Sequence, residues 1–314
     1  MLKILSLFVL TFAVVLLGFF IWTSLQIELL EKEFPPSGKF ATLAGAKFHY
    51  ADVPDSEGRL APVLFVHGAS GNLKDQQEAF ADAFRGKARM LFVDRPGYGY
   101  SERAGANTPA KQAERYKMLL DELNIKQTVL VGHSLGAASV AAFAVLYPDR
   151  VKGIIFLSPA THPWTTGIKW YYKLASTPIL GEIFTETLAL PIGNLSLEGG
   201  IKSVFDPQTP VKDYVKRTST PLILRPSSFR YNARDVAGLN EFLSDFSPRY
   251  KEIKAPVIII TGDKDDVVSP SIHSLGLERD IEGAELVVLP GMGHKPDYMA
   301  TDIVLDAIRK VGKL

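Results

Sequence analysis

The stretch that decides the fold is TVLVGHSLGAASVAAFAVLYP, residues 128–148. An apolar run at 128–131 leads into Gly132-His133-Ser134-Leu135-Gly136, and an alanine-rich segment follows until Pro148 stops it. The G-x-S-x-G pattern is short and by itself is weak evidence for a catalytic serine. A predicted strand directly before it and a predicted helix directly after it make a chance match improbable. This context predicts a sharp strand–turn–helix connection that lifts the Ser134 hydroxyl above the end of a buried strand.

Outward from this turn, apolar runs of strand length alternate with stretches of helical length. The predicted strands cover 62–67, 89–94, 128–131, 151–157, 256–261 and 285–289, and the predicted helices cover 72–84, 108–123, 134–147 and 297–310. A hairpin within residues 40–53, turned at Ala44-Gly45, precedes them. In the second helix, Thr108 is expected to be the N-cap and Pro109 the first helical residue. Such alternation is typical of a mostly parallel sheet covered by helices on both faces.

The alternation breaks at residues 160–254, a segment too long to be a loop in a compact domain. We predict that this segment is an inserted helical cap and that residues 39–159 and 255–314 form the core. The cap begins with a cluster of aromatic residues, which fits three interpretations: packing onto the core, lining an acyl pocket, or facing a membrane. These residues are Trp164, Trp170, Tyr171 and Tyr172.

Composition excludes several functional classes. The chain has no cysteine, so disulfides, thiolate catalysis and cysteine-based metal sites are ruled out. The formal net charge is +1, which gives no indication of nucleic-acid binding.

The N-terminus predicts a membrane anchor. Residues 4–27 contain no charged side chain, and 24 helical residues span roughly 36 Å, enough to cross a bilayer core of about 30 Å. We predict a transmembrane signal anchor at 1–27 and a linker at 28–38. Lys3 places the N-terminus in the cytoplasm and the catalytic domain on the non-cytoplasmic side. The alternatives are a cleaved signal peptide, whose apolar region is normally shorter, and a buried core helix.

A serine hydroxyl needs a base, and the base needs an acid that orients it. His294 lies on a glycine-rich loop after the last predicted strand and is the candidate base. The turn after the penultimate strand offers Asp263, Asp265 and Asp266, of which we select Asp265 as the acid. The other histidines are interpreted as structural or as lying away from the nucleophile: His49, His67, His133, His162 and His273.

An oxyanion hole requires two backbone N–H groups that converge on the substrate carbonyl oxygen. Leu135, next after the nucleophile, is expected to supply one. The turn at residues 67–71, after the first buried strand, is expected to supply the other through Ala69.

With the order Ser134, Asp265, His294, the sequence resembles the α/β-hydrolase superfamily over about residues 39–312. The resemblance rests on five motifs: the His67-Gly68 loop, the turn at 94–101, the GHSLG elbow, the acid turn at 262–268, and Gly293-His294. It implies an α/β-hydrolase fold, with a mostly parallel eight-stranded sheet flanked by helices and an inserted helical cap, here with an N-terminal transmembrane helix. Within the superfamily it resembles the capped esterases, lipases and C–C hydrolases. Serine at position 134 disfavours epoxide hydrolases and haloalkane dehalogenases, which use aspartate.

The predicted function is hydrolysis of a carboxylic ester, such as a lipid or lactone, through an acyl-enzyme on Ser134. No cofactor and no metal is expected. The expected partners are a small-molecule or lipid-like acyl substrate and a membrane, reached through the N-terminal helix. The alternatives are a C–C bond (diketone) hydrolase with the same triad and a non-catalytic binding protein of the same fold.

Overall fold

One sheet of eight strands organises the computed structural model, which describes residues 2–56, 58 and 60–313. Met1 and Leu314, the outermost residues of the predicted anchor and core, lie outside the described residues. The strands are β1 (Lys39–Leu43), β2 (Ala46–Val53), β3 (Val63–Val66), β4 (Met90–Val93), β5 (Thr128–His133), β6 (Val151–Leu157), β7 (Val257–Gly262) and β8 (Glu285–Leu289). Their order is β1-β2-β4-β3-β5-β6-β7-β8, antiparallel from β1 to β4 and parallel from β4 to β8. The predicted fold class is confirmed.

Helices cover both faces of the sheet and fill the segment between β6 and β7. They are α1 (Leu2–Glu33), α2 (Leu73–Phe80), α3 (Pro109–Glu122), α4 (Gly136–Leu146), α5 (Trp170–Ser176), α6 (Ile179–Thr187), α7 (Ala189–Phe205), α8 (Tyr214–Arg217), α9 (Pro226–Phe246), α10 (Ser274–Asp280), α11 (Pro296–Met299) and α12 (Thr301–Gly312). Thr108 caps α3 as predicted, since its side chain accepts the Lys111 N–H at 3.3 Å. The predicted last helix is divided between α11 and α12 because Ala300 leaves helical geometry, at φ −135° and ψ 37°.

The central strands are apolar along their whole length because both of their faces are covered. All four residues of β3 are buried. Leu64 and Val66 belong to one core cluster with residues of α3 and α4, whereas Val63 and Phe65 belong to the opposite cluster with residues of α2 and α12. Continuous burial of this kind is what a parallel sheet between two helical layers requires.

The segment between β6 and β7 contains α5 to α9 and, within the described residues, no strand. It is joined to the core by a buried ion pair between Asp235 of α9 and Arg95, which follows β4, at 2.9 Å. The Arg95 and Asp235 side chains are 0% and 3% exposed, so the cap is held by a link that water does not screen. The boundaries 160 and 254 of this cap stay a prediction.

α1 is long and apolar enough to cross a membrane, and a signal sequence near the N-terminus meets the same test. The helix runs on to Glu33, so residues 28–33 of the predicted linker are helical. This extension is rich in helix-forming Leu, Glu and Lys, and Leu30 packs against the core cluster of Tyr98 and Leu190. The linker is therefore confined to residues 34–38.

Lys295, on the loop after β8, is buried between two carboxylates. Its Nζ lies 3.0 Å from Asp75 of α2 and 2.9 Å from Asp297 of α11. Tyr214 of α8 donates a further hydrogen bond to Asp75 at 2.7 Å. Burial raises the pKa of the Asp297 carboxyl to about 6 despite the opposing effect of Lys295. The network fixes the loop after β8 against α2.

Glycines permit the close approach of β3 and α4. A Cβ at Gly136 would lie 2.4 Å from the carbonyl oxygen of His67 and 2.6 Å from that of Val66. A Cβ at Gly132 would lie 2.9 Å from the Cα of Ala137. Because these neighbours are backbone atoms, a side chain cannot be accommodated by a rotamer change.

We expect Gly136→Ala to lower the free energy of unfolding by about 2–3 kcal/mol, because the added methyl pushes on two backbone carbonyls. The matched control is Gly238→Ala in α9, where an added Cβ meets no atom within 4 Å. The control should gain about 0.5–1 kcal/mol from helix propensity. Melting temperatures of the two variants in the same detergent check this; equal shifts for both would contradict the steric argument.

A second expectation concerns the pH dependence of stability. Burial raises the pKa of Asp297 in the folded chain from its ordinary 3.8 to about 6. The stabilising contribution of its proton is therefore complete only below about pH 4 and is lost as the pH rises through about 6. Relative to Asp297→Asn, the wild type should therefore lose up to about 1.4 kcal/mol per pH unit across that window.

Melting temperatures measured from about pH 4 to about pH 8 test the expectation for Asp297. Asp302→Asn, at an exposed carboxyl on α12, serves as the control and should follow the wild type. A wild-type curve parallel to that of Asp297→Asn throughout would refute the assignment.

Candidate active site

Ser134 lies in the turn between β5 and α4 with a φ of 51°, a conformation that L-residues rarely adopt. Hydrogen bonds hold it there: its N–H donates to the Leu157 carbonyl at 3.0 Å, and its own carbonyl accepts the N–H groups of Ala137 and Ala160, each at 3.0 Å. A strained backbone conformation of this kind persists only where many surrounding contacts hold it, and such conformations are common at functional sites.

His294 and Asp265 are hydrogen-bonded to each other. His294 Nδ1 lies 2.7 Å from Asp265 Oδ2, and both side chains are buried. The other carboxylate oxygen accepts the backbone N–H groups of Val267 at 3.0 Å and Val268 at 2.9 Å. Burial alone would raise the pKa of the Asp265 carboxyl, but the charge and hydrogen bond of His294 and the Val268 N–H together lower it. Asp265 is therefore held ionised, as the orienting partner of an imidazole must be.

The loop that carries His294 rests against the turn that carries Ser134. The His133 ring lies 4.9 Å from the His294 ring, and His133 Nε2 is 3.0 Å from the His294 carbonyl oxygen. Burial lowers the pKa of His133 well below 6.5, so the ring is neutral and Nε2–H is the donor. Within the described residues no hydrogen bond joins the Ser134 hydroxyl to His294 in this conformation. Such bonds commonly tighten only when substrate binds.

Ala69 and Leu135 belong to one cluster above the sheet, which also contains Ala138 and Ala160. Neither the Ala69 nor the Leu135 N–H donates a hydrogen bond to another described residue. Gly68 makes the juxtaposition possible, because a Cβ there would lie 2.9 Å from Ser134 Cβ. Two free donors thus lie beside the serine.

The cap reaches the same loop through contacts that sequence reasoning missed. Asn232 of α9 accepts the Ser70 N–H at 2.9 Å and donates to the Ser70 hydroxyl at 3.1 Å. The Tyr172 hydroxyl of α5 lies 3.1 Å from the same Ser70 oxygen. Ser70 itself has a φ of 56°. Nothing in the local sequence pairs residues this far apart, so no signal pointed to them.

The histidines interpreted as structural have structural partners. His67 Nε2 accepts the Arg95 N–H at 3.1 Å, and its Nδ1 therefore donates to the Gly68 carbonyl at 2.8 Å. Burial, together with the Arg95 charge, lowers the pKa of His67 to about 4. Similar buried contacts involve His49 with Asp94, His162 with Asp280, and His273 with the N–H groups of Thr161 and His162.

One group of side chains has the composition of a metal site. Asp75, His133 and Asp297 place ligand atoms within 4.8 Å of one another. The Lys295 ammonium already lies between the two carboxylates, at 3.0 and 2.9 Å. The Lys295 ammonium therefore occupies the place between the carboxylates that a metal ion would take, and the donor set does not fit a metal ion.

Comparisons with known proteins agree with this architecture. A family described as alpha/beta hydrolase fold matches residues 61–181, a range that contains Ser134 but neither Asp265 nor His294. The chain is 29% identical to a 2-hydroxy-6-oxononadienedioate/2-hydroxy-6-oxononatrienedioate hydrolase of Paraburkholderia phymatum, over 79% of this chain and 84% of that protein. It is 25% identical to Lipase 1 of Psychrobacter immobilis, over 85% of this chain and 81% of that protein.

A solved structure shows the same fold at lower sequence identity. The enol-lactonase from Burkholderia xenovorans LB400 matches with a TM-score of 0.68 and 19% identity, over 87% of this chain and 99% of that chain. The strand order, the serine at the strand–helix turn and these relatives all lead to one conclusion. The chain has the α/β-hydrolase fold, matches that family at residues 61–181, and is a hydrolytic enzyme.

Proposed function

We propose that the chain hydrolyses a carboxylic ester of an apolar acid or alcohol, with Ser134 as nucleophile, His294 as base and Asp265 as the orienting acid. The observation that carries the proposal is the 2.7 Å hydrogen bond between His294 and Asp265 on a loop packed against the strained Ser134 turn. Because Nδ1 is engaged by Asp265, Nε2 is the nitrogen left to take the serine proton.

In the first half-reaction, Ser134 Oγ attacks the ester carbonyl carbon while His294 Nε2 takes the hydroxyl proton. The Ala69 and Leu135 N–H groups stabilise the negative charge that develops on the carbonyl oxygen. The imidazolium then protonates the departing alcohol, which leaves an acyl group on Ser134. In the second half-reaction, His294 takes a proton from water as the resulting hydroxide attacks the acyl carbon. The imidazolium then returns that proton to Ser134 Oγ as the acyl–oxygen bond breaks and the free acid departs.

Hydrolysis of a C–C bond next to a ketone is the second candidate, favoured by the printed names of several relatives. The dienedioate substrates in those names carry two carboxylates, which need free cationic partners. Arg95, the buried arginine that donates to Gly68 in the loop after β3 (residues 67–71), is already paired with Asp235 at 2.9 Å. The surroundings of Leu135 include Leu239 and the partly buried Trp164, which suit an uncharged group better. Comparing kcat/KM on an uncharged aryl ester and on a dienedioate separates the two candidates.

We also propose that α1 is an uncleaved anchor in the membrane. Its C-terminal half is integrated into the folded domain, as a removable signal sequence would not be. Thr23 is 1% exposed, and Glu31 forms an ion pair with Arg225 at 2.8 Å. Removal of α1 through Glu31 would break these contacts and expose the cap surface that they cover.

We expect a fluorophosphonate probe to label Ser134 of the full chain and no other residue. Ser134→Ala and His294→Ala should each abolish labelling and ester hydrolysis, because they remove the nucleophile and its base. Ser271→Ala, at an exposed serine after the acid turn, is the control and should be labelled like the wild type. Hydrolysis retained by a folded Ser134→Ala protein would contradict the mechanism. Binding without any turnover in the wild type would favour the non-catalytic alternative.

We expect Asp265→Asn to lower kcat by about 10²–10⁴, because a neutral amide no longer stabilises the imidazolium. Asp266→Asn is the matched control, since Asp266 is exposed and one residue away. Asp263 is a less suitable control because it accepts the Gly291 N–H at 2.7 Å and so supports the His294 loop. Steady-state kinetics on one ester decide the matter, and a larger loss in Asp266→Asn than in Asp265→Asn would reassign the acid.

A further inference from the structure

The C-terminal half of α1 is packed along the cap. Thr23 is buried and its hydroxyl donates to the Thr187 carbonyl at the end of α6, at 3.4 Å. About two turns further along α1, Leu30 packs with Leu190 at the start of α7. The Glu31–Arg225 ion pair closes the contact at 2.8 Å. These contacts therefore fix the position of the cap helices along the axis of α1.

Part of the cap lies beside the uncharged, apolar part of α1. A groove of about 340 Å³ separates α1 from the cap and is lined by Val15, Gly18, Phe19, Trp22 and Pro191. A bilayer core of about 30 Å takes about 20 helical residues out of the uncharged run at 4–27. Whether those residues begin at 4 or end at 27, positions 15–22 lie within them. Pro191 of α7 is thus at the level of the hydrocarbon.

α6 and α7, the cap helices that pack next to α1, carry an exposed apolar face. Its five members, named here the cap apolar face, are Ile179, Leu180, Ile183, Ile192 and Leu195, the last 90% exposed. In α7 no charged residue occurs before Glu198. In α6 the exposed Glu182 is paired with Arg230 of α9, at 3.2 Å. Large aliphatic side chains this exposed are unfavourable in water, and several of them on two successive helices indicate an interaction surface.

We propose that the cap apolar face is immersed in the acyl region of the leaflet on the catalytic side, so that the cap is a second membrane contact beside α1. The inference rests on the proposed anchoring by α1. A bilayer is favoured over a second copy of the chain because Pro191, next to Ile192 of this face, lies beside residues 15–22 of the anchor, where lipid is the surrounding solvent.

Trp170 supports the same assignment. It begins α5, is 65% exposed, and lies beside Phe184 of α6 with ring centroids 6.3 Å apart. The exposed Lys169 and Lys173 flank it. Tryptophan and lysine together are typical of the region where headgroups meet acyl chains.

The experiment uses the full chain in phosphatidylcholine vesicles. Because the chain has no cysteine, single cysteines can be introduced without further changes. An NBD fluorophore is placed at Ile183→Cys or Leu195→Cys in the cap. Val9→Cys in α1 reports on the anchor, and Ile303→Cys, at an exposed position of α12, reports on the water-facing side. Each sample is quenched separately by doxyl-labelled phosphatidylcholine and by iodide.

We expect doxyl lipid to quench positions 183 and 195 as strongly as position 9, and iodide to quench only position 303. Quenching of 183 and 195 by iodide, with position 9 quenched by lipid, would overturn the proposal and leave the anchor intact. Protection of 183 and 195 from both quenchers would mean that protein covers the face, such as a second copy, and would also overturn it. A position 9 open to iodide would overturn both the anchor and the cap contact.

Fluorophosphonate labelling of Ser134 in the same samples separates these outcomes from a failure of the hydrolase proposal. The labelled cysteines lie outside the residues assigned to catalysis, so their serine labelling should equal that of the wild type whatever the quenching shows. Loss of serine labelling in all samples, including the wild type, would count against the hydrolase proposal alone.

Discussion

The contact between α4 and the end of β3 is the constraint on which the candidate site depends. Gly136 packs directly onto the carbonyl groups of Val66 and His67, with no room for a side chain. That approach forces the chain at Ser134 into a φ of 51° and brings the loop after β3 beside the serine. One packing contact therefore sets both the orientation of the hydroxyl and the nearness of the Ala69 N–H. A serine protruding from a relaxed turn would have neither.

Two buried ionic links hold the remaining parts to this centre. Arg95 and Asp235 join the core to α9, whose Asn232 contacts Ser70 in the loop after β3. Lys295 joins the His294 loop to α2 through Asp75. Buried pairs add little net stability compared with apolar packing, but removing one partner leaves an uncompensated charge and costs about 3–5 kcal/mol. Their effect is thus to disfavour alternative positions of the cap and of the histidine loop.

Sequence reasoning succeeded where the signal is local. The strands are continuous apolar runs, the elbow is a strand, a serine and a helix in succession, and Asp265 and His294 lie on turns after consecutive strands. It failed where the partners are distant in sequence. The contacts of Ser70 with Asn232 and Tyr172, and that of Lys295 with Asp75, join residues separated by more than 100 positions. The periodicity of apolar residues along a sequence does not indicate which distant residues will contact each other. The roles of the three predicted triad residues stay a prediction, now supported by their placement.

The position of α5 links the membrane question to the chemistry. The same helix exposes Trp170 beside α6 and places the Tyr172 hydroxyl 3.1 Å from the Ser70 hydroxyl in the loop after β3. A helix of seven residues spans only about 10 Å, so the side chain that we propose lies among lipid headgroups and the one beside Ser70 belong to a single rigid element. An apolar ester is concentrated in the leaflet relative to water because burial of each CH₂ is favourable by about 0.8 kcal/mol. A cap held in that leaflet therefore lies where such a substrate is most abundant, and the selectivity for apolar esters need not come from tight binding alone.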